Sequence, residues 1–177
     1  MKERAKSYAE SLSEVLSAAK TYDFGRSRRA LSSLEDLARR AQAEKPLRKI
    51  LQKALAEFLL SEASYAAKKY VCTLLWQLGV REATAAVERL LYDPNFTELA
   101  CFAFSKAPSK SIDLALRKAL SRLGGKSLEA VINLVGERRD TKSTDKLIEL
   151  CKSPNARIQK AAVAALGKIA SEKAVAE

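Results

Sequence analysis

The chain has 177 residues, a formal net charge of +11 at pH 7 and no histidine. This length suits one domain or one short solenoid with a real core, and the absence of histidine excludes His-based triads, HExxH zinc sites and histidine-dependent iron sites. Because neither a CxxC pair nor a glycine-rich phosphate-binding loop occurs, we predict no enzyme activity, no cofactor and no metal.

The sequence gives no indication of export or of a membrane span. No apolar run approaches the roughly 18–20 residues that cross a bilayer, and the first residues, MKERAKSYAE, lack the apolar stretch of a secretory signal. If Met1 is the native start, a cytoplasmic location is expected. If the start was trimmed, the chain would be part of a larger protein, and export of that larger protein stays an open alternative.

The three cysteines, Cys72, Cys101 and Cys151, do not form a disulfide framework. Cys72 and Cys101 fall at equivalent places in two adjacent predicted helices. Packed helices lie roughly 8–10 Å apart, whereas a disulfide needs Cα atoms about 4.4–6.8 Å apart. Free, half-buried thiols are therefore expected.

Residues 1–62 are predicted to form three helices that make a divergent repeat or cap one end of a stack. TYDFGRS at 21–27 is the clear break, and Pro46 fits the first turn of the third helix. Each helix carries one apolar stripe at helical spacing. The stripes are Tyr8, Leu12, Val15, Leu16 and Ala19; then Leu31, Leu34, Leu37 and Ala38; then Leu47, Ile50, Leu51, Ala54, Leu55, Phe58 and Leu59.

From residue 63 onward the sequence repeats. Gly79, Pro108, Gly136 and Gly167 lie 29, 28 and 31 residues apart, and each is expected to end a helix, termed helix A. The apolar stripes of the A helices are Ala67, Tyr70, Val71, Leu74, Leu75 and Leu78; Phe96, Leu99, Ala100, Ala103, Phe104 and Ala107; Leu128, Val131, Ile132 and Val135; and Ile158, Ala162, Val163 and Leu166.

A second helix, termed B, follows the first three breaks. Its stripes are Ala83, Ala86, Val87, Leu90 and Leu91; Ile112, Ala115, Leu116, Ala119, Leu120 and Leu123; and Thr144, Leu147, Ile148 and Cys151. Two short helices cannot bury their apolar faces alone, so such hairpins must stack. We therefore predict an all-α stack of antiparallel helical hairpins, with repeats at 63–94, 95–124, 125–154 and an incomplete one at 155–177.

Several segments resemble HEAT repeats of the short bacterial type. They are AAVAALGKIA at 161–170 and INLVGERRD at 132–140. Arrays of such repeats inside larger bacterial proteins, including the phycobilin-lyase-like type, resemble three longer segments: YAAKKYVCTLLWQLG, LYDPNFTELACFAF and SLEAVINLVGERRD. The resemblance runs from about Ala63 to the C-terminus. It implies a right-handed α-solenoid (a HEAT/ARM-like superhelix) that acts as an interaction module without chemistry of its own.

The C-terminal end of the predicted stack looks unfinished. After Gly167 the residues IASEKAVAE would begin a B helix and then stop. We favour a fragment of a longer chain, and the alternative is that the last A helix is itself a cap. In a fragment, two chains are expected to pair through Ile158, Ala162, Leu166 and Ile169.

The outward side of the B helices carries the candidate binding surface. Two columns of basic residues recur there: Arg81, Lys110 and Arg138, and Arg89, Lys118 and Lys146. The B helices of HEAT-like stacks usually line the concave side, so the columns would present charge to a phosphate backbone or an acidic peptide. The full candidate surface is Arg81, Arg89, Tyr92, Lys110, Arg117, Lys118, Arg138, Lys142 and Lys146.

A plainer interpretation of these charges stays open. Exposed helix faces are commonly rich in Lys and Arg, acidic neighbours dilute this surface, and ERRD at 137–140 would then simply tie its own turn. Trp76 is predicted to be buried against residues 47–59, the alternative being an exposed binding hot spot.

Three functions follow from these patterns. The leading one is a protein-interaction scaffold whose basic concave face binds an acidic or extended partner. The second is nucleic-acid binding through the two columns. The third is an enzyme accessory or a lyase-type HEAT protein, which would need a pocket that gathers Cys, Asp or Glu side chains around a chromophore. A bound pigment or a reactive thiol of low pKa would support it.

Overall fold

The computed structural model is all-α and describes the backbone of residues 2–175 and the side chains of residues 3–170. No strand occurs over residues 2–175. Two single-turn helices, Arg81–Ala83 and Thr141–Ser143, precede α5 and α9. The α-helices are α1 (Lys2–Ala19), α2 (Arg29–Ala43), α3 (Lys45–Leu59), α4 (Tyr65–Leu78), α5 (Thr84–Leu91), α6 (Thr97–Phe104), α7 (Lys110–Leu120), α8 (Gly125–Glu137), α9 (Thr144–Leu150) and α10 (Ala156–Val175).

The chain divides into two compact units, an N-terminal unit of residues 1–87 and a C-terminal unit of residues 88–177. The division falls inside α5. This division depends on which residues contact one another, so it does not test the predicted repeat boundary between residues 62 and 63. That boundary stays a prediction.

The N-terminal unit packs α1 against α2 and α3, and α3 against α4 and the turn at 81–83. The stripes predicted for residues 1–62 supply its core, in which Leu34, Leu51 and Leu55 are fully buried. Local signals set the helix ends. Pro46 lies in the first turn of α3, and the Ser64 hydroxyl accepts a hydrogen bond from the amide of Ala67 at the start of α4.

Gly79 ends α4, as predicted, at a backbone φ of 88°. Side chains other than glycine rarely adopt this conformation, so the glycine stops the helix and lets the chain turn toward residues 81–83.

The C-terminal unit is organised around α8, which packs against α6, α7 and α10. The A helices α6, α8 and α10 therefore pack in succession, and α9 packs against α10. Gly136 makes the α8–α10 contact close, because a Cβ atom built on it would lie 2.7 Å from the Cα of Ala165. The predicted stacking of helical hairpins is confirmed.

The last predicted repeat needs correction. Gly167 does not end a helix, since α10 runs without interruption from Ala156 to Val175. A glycine inside a helix is only mildly unfavourable, and the buried face of α10 continues past it to Ile169. The predicted start of a B helix after Gly167 is therefore wrong as far as residue 175, and residues 176–177 lie outside the described part.

Two apolar residues assigned to buried stripes are exposed. Val163 on α10 is 57% exposed and Ile148 on α9 is 47% exposed. Conversely, three of the four residues predicted to pair two chains, Ile158, Ala162 and Ile169, are buried within the unit, and the fourth, Leu166, is half-buried. The helical angle explains this correction: α10 turns its face of Ile158, Ala162 and Ile169 into the unit, and Val163 lies on the opposite side.

Candidate interaction surface

Most of the candidate basic residues reach solvent. Arg81 is exposed in the N-terminal unit, on the single-turn helix before α5. In the C-terminal unit Arg89, Lys110, Lys118 and Lys142 are exposed, and Tyr92 is exposed at the end of α5. None of these cations has an ion pair within the described residues.

Arg117 is not a free cation. Its Nε atom lies 2.7 Å from Oδ2 of Asp140, and its second terminal nitrogen lies 3.1 Å from Oδ1, which is a two-point ion pair between α7 and the turn after α8. The Ser143 hydroxyl donates to the same carboxylate at 2.7 Å. These groups hold the turn at 138–143 against α7.

Opposing effects set the pKa of Asp140. Burial raises the pKa, but the hydrogen bonds from Arg117 and Ser143, the charge of Arg117 and a backbone amide lower it more, so the pKa lies below its usual value. The same pair raises the pKa of Arg117. Asp140 therefore stays ionised well into the acid range.

Arg138 points inward, and the prediction that it faces outward is wrong. Its side chain is only 10% exposed, and its guanidinium lies 2.6 Å from Oδ1 of Asp113 on α7. The same group donates to the carbonyl oxygens of Phe104 at 3.0 Å and Ala107 at 2.9 Å. Arg138 thus satisfies orphan carbonyls at the end of α6 and fixes that end to α7 and α8.

The ion pairs of Arg138 with Asp113 and of Lys146 with Glu149 interrupt the predicted columns. The first column loses Arg138, and in the second Lys146 donates to Glu149 at 2.7 Å. The plainer interpretation of ERRD, that it ties its turn, describes Arg138 and Asp140 better, although their partners lie on α7. Among the candidate residues of the C-terminal unit, the cations without an ion pair over the described residues are Arg89, Lys110, Lys118 and Lys142.

Sequence reasoning missed the acceptor of Arg138. Asp113 and Arg117 are four residues apart on α7, and Arg138 and Asp140 are two apart after α8. Residues four apart share a helix face, so an acid and a base on one face of α7 stand opposite a base and an acid after α8. This pattern of opposite charges could have predicted the two ion pairs.

The N-terminal unit contains a comparable polar residue that the sequence did not reveal. Gln52 is only 5% exposed. Its amide nitrogen donates to the carbonyl oxygens of Leu78 at 3.2 Å and Gly79 at 2.8 Å, and its oxygen accepts from the amide of Glu82 at 3.3 Å. A single glutamine inside an apolar stripe carries no pattern that announces this role.

One groove opens on the N-terminal unit. It has a volume of about 660 Å³ and runs between α1 and α3 over Leu12, Leu16 and Phe58. Lys20, Lys53 and Glu57 lie at its sides, and no cluster of catalytic groups lines it. Trp76, also in this unit, is half-buried, so its predicted burial is only partly reached.

The cysteines are free, as predicted. Burial raises the pKa of Cys72 and of Cys101 to about 12, so both thiols are protonated at neutral pH. Cys72 and Cys101 are buried, where half-buried thiols were expected, and Cys151 is half-buried as predicted. Over the described residues no group of three or more Cys, Asp or Glu side chains is placed to hold a metal, and none of the described helices has the length and apolarity to cross a membrane.

Comparison with known proteins agrees with this architecture. Residues 115–177 match the family model of HEAT repeats, a segment that includes all of α8, α9 and the described part of α10. No curated protein is significantly similar to the chain. The HEAT-repeat prediction is confirmed for this segment, and with it the α-solenoid fold class. HEAT repeats generally serve as non-catalytic scaffolds for protein–protein interaction, which gives the coarse function.

Proposed function

We propose that this protein is a non-catalytic scaffold whose C-terminal unit binds an acidic, extended segment of a partner protein through Arg89, Lys110, Lys118 and Lys142. One observation carries this proposal. Over the part of the chain that the structure describes, these four side chains are exposed and have no ion pair, while Arg117, Arg138 and Lys146 have acidic partners within the fold. The unpaired cations are the ones that a partner can neutralise.

The pattern of pairing favours a protein partner over nucleic acid. A nucleic-acid backbone needs a continuous track of cations, and the internal ion pairs of Arg138 and Lys146 break both columns. An acidic peptide needs only local charge complementarity. A lyase-type activity has less support still, because the raised pKa of Cys72 and Cys101 opposes thiol reactivity.

A charge-reversal experiment tests the proposal. Binding of a fluorescein-labelled 20-residue polyglutamate peptide would be followed by anisotropy at about 50 mM and about 200 mM salt, where electrostatic association weakens as salt rises. The double variant Arg89→Glu, Lys118→Glu should lose roughly tenfold or more in affinity. The matched control is Lys20→Glu, Lys53→Glu, which makes the same charge change in the N-terminal unit.

Two results would count against this function. Equal losses in both double variants would mean that net charge alone attracts the peptide. Tight binding of single- or double-stranded DNA or RNA that falls by roughly 10³ between the two salt concentrations would favour the nucleic-acid alternative, since several phosphate contacts produce that slope.

A further inference from the structure

The exposed side of α7 combines two cations with an aliphatic side chain. The buried side of this helix consists of Ile112, Ala115, Leu116, Ala119 and Leu120. On the opposite side Lys110, Leu114 and Lys118 are exposed, and they follow one another at four-residue steps, so they form one row along the helix. Leu114 is 49% exposed. We refer to these three residues as the α7 row.

The internal ion pairs of the fold leave the α7 row available to a partner. Asp113, the only acid of α7, pairs with Arg138. Because Asp113 is engaged there, it does not neutralise Lys110, three residues earlier on the same helix. Over the part of the chain that the structure describes, neither lysine of the row has an ion pair. Helix α7 lies inside the C-terminal unit, with α6 before it and α8, α9 and α10 after it, so the exposure of the row does not come from the end of the chain.

The length of the α7 row matches the side-chain spacing of an extended peptide. An α-helix rises about 1.5 Å per residue, so Lys110 and Lys118 are separated by about 12 Å along α7, with Leu114 midway. An extended chain advances about 3.3 Å per residue and turns every second side chain to the same face. The first, third and fifth residues of an extended segment therefore span about 13 Å on one face. They can lie opposite the lysine, the leucine and the second lysine of the row.

We propose that the α7 row binds a motif of the form acid–x–apolar–x–acid within an extended segment of a partner protein, where x is any residue. This inference rests on the proposed function and deepens it, because it names a sequence pattern within the acidic segment. The two carboxylates lie against the lysines and give charge complementarity. The apolar side chain between them covers Leu114 and removes it from water, a contribution to affinity that acids alone do not make.

Three labelled 20-residue peptides test the motif. The first repeats Glu-Ser-Leu-Ser, which places each leucine midway between two glutamates on one face of an extended chain. The second repeats Glu-Leu-Ser-Ser, which has the same composition but turns the leucines to the opposite face. The third repeats Glu-Ser-Ser-Ser, which has the same charge and no leucine. In fluorescence anisotropy at about 50 mM salt, we expect the first peptide to bind the full chain roughly fivefold more tightly than either of the others.

Variants of the protein locate the contact. Leu114→Ser should abolish the advantage of the first peptide and leave binding of the third unchanged, because it removes the apolar contact and keeps both lysines. Unchanged binding of the third peptide also shows that this variant is folded. Val163→Ser is the matched control, since Val163 is 57% exposed on α10 of the same unit, and it should keep the advantage. Lys110→Glu should weaken all three peptides by roughly fivefold, since each carries the same acids.

The contrary outcomes are distinct. Equal binding of the first two peptides would overturn the proposal, because the position of the leucine would then not matter. An advantage that survives Leu114→Ser would also overturn it, since the leucines would then bind elsewhere. If Arg89→Glu, Lys118→Glu weakens polyglutamate binding but the first peptide has no advantage, the scaffold function stands and the motif is wrong. If no acidic peptide binds the chain, both proposals are wrong.

Discussion

The two units fix their helices with different chemistry. In the N-terminal unit two neutral side chains donate to backbone carbonyl oxygens: the amide of Gln52 caps the end of α4, and the Tyr8 hydroxyl donates to the carbonyl oxygen of Leu37 at 3.0 Å. In the C-terminal unit the same task falls to the cations Arg117 and Arg138, each paired with an aspartate. Neutral caps are indifferent to pH near neutrality, whereas ion pairs require an ionised carboxylate.

The largest expected effect comes from removing the cationic cap. Arg138→Ala leaves Asp113 without its partner and the carbonyl oxygens of Phe104 and Ala107 without their donor. Breaking a largely buried pair from one side should lower the free energy of unfolding by about 3 kcal/mol. Urea denaturation followed by far-UV circular dichroism measures the change.

Thiol labelling shows which unit the Arg138→Ala change affects. Cys101 lies in the C-terminal unit and Cys72 in the N-terminal unit, and both thiols are buried, so a labelling reagent reaches them only on opening. The variant should label faster at Cys101 and not at Cys72. Arg138→Lys is the control, since it keeps the charge. A loss below about 1 kcal/mol would mean that water replaces the cap readily.

Removing the neutral cap should have a somewhat smaller effect. Gln52→Ala leaves two carbonyl oxygens and the amide of Glu82 without their partner in a site that is 5% exposed. We expect a loss of about 2 kcal/mol in the free energy of unfolding, with faster labelling at Cys72 and not at Cys101. Gln42→Ala, an exposed change on α2, is the matched control. A loss no larger than that of Gln42→Ala would contradict the capping role.

A pair of glycine substitutions compares the closed and open faces of neighbouring A helices. Gly136→Ala should destabilise by about 1–2 kcal/mol, because the added methyl meets the backbone of Ala165. Gly167→Ala should stabilise by up to about 1 kcal/mol, because alanine favours the helix and the site is open. Thermal and urea unfolding of both variants measure the signs. If both changes stabilise, α8 and α10 can separate without loss.

The sequence predicted the helices and their stripes well and the surface poorly. Helical periodicity identifies which residues turn inward, so Leu51, Leu75 and Leu116 were assigned to the core, where they lie. Arg138 was misplaced because a helical-wheel angle does not say whether an arginine reaches water or folds back onto a carbonyl oxygen. That choice depends on Asp113 and the end of α6, which are adjacent only after folding.

Glycine was the second source of error. The same residue type ends α4 at Gly79, admits a neighbouring helix at Gly136 and does neither at Gly167. A positive φ, a close backbone contact and an open site look identical in sequence. The spacing of the glycines was enough to predict the period of the repeat. It could not predict the end of α10, because the role of each glycine depends on its backbone conformation and its neighbours.

The smallest effect sharpens the contrast between the units through pH. The pKa of Asp140 is lowered in the folded state, so its contribution to stability is fully present above the unfolded value, near 4, and is lost as pH falls through the folded value. Asp140→Asn should therefore lower the urea midpoint at pH 6 and make less difference at about pH 3, because the carboxyl of the unfolded chain takes up its proton near pH 4 and the stabilisation declines below that value. Circular dichroism reports all helices, and the fluorescence of Trp76, the single tryptophan, reports the N-terminal unit. Trp76 and Asp140 lie in different units, so the fluorescence serves as the control for the circular dichroism. An equal effect of Asp140→Asn at both pH values would mean that the ion pair between Arg117 and Asp140 does not stabilise the C-terminal unit.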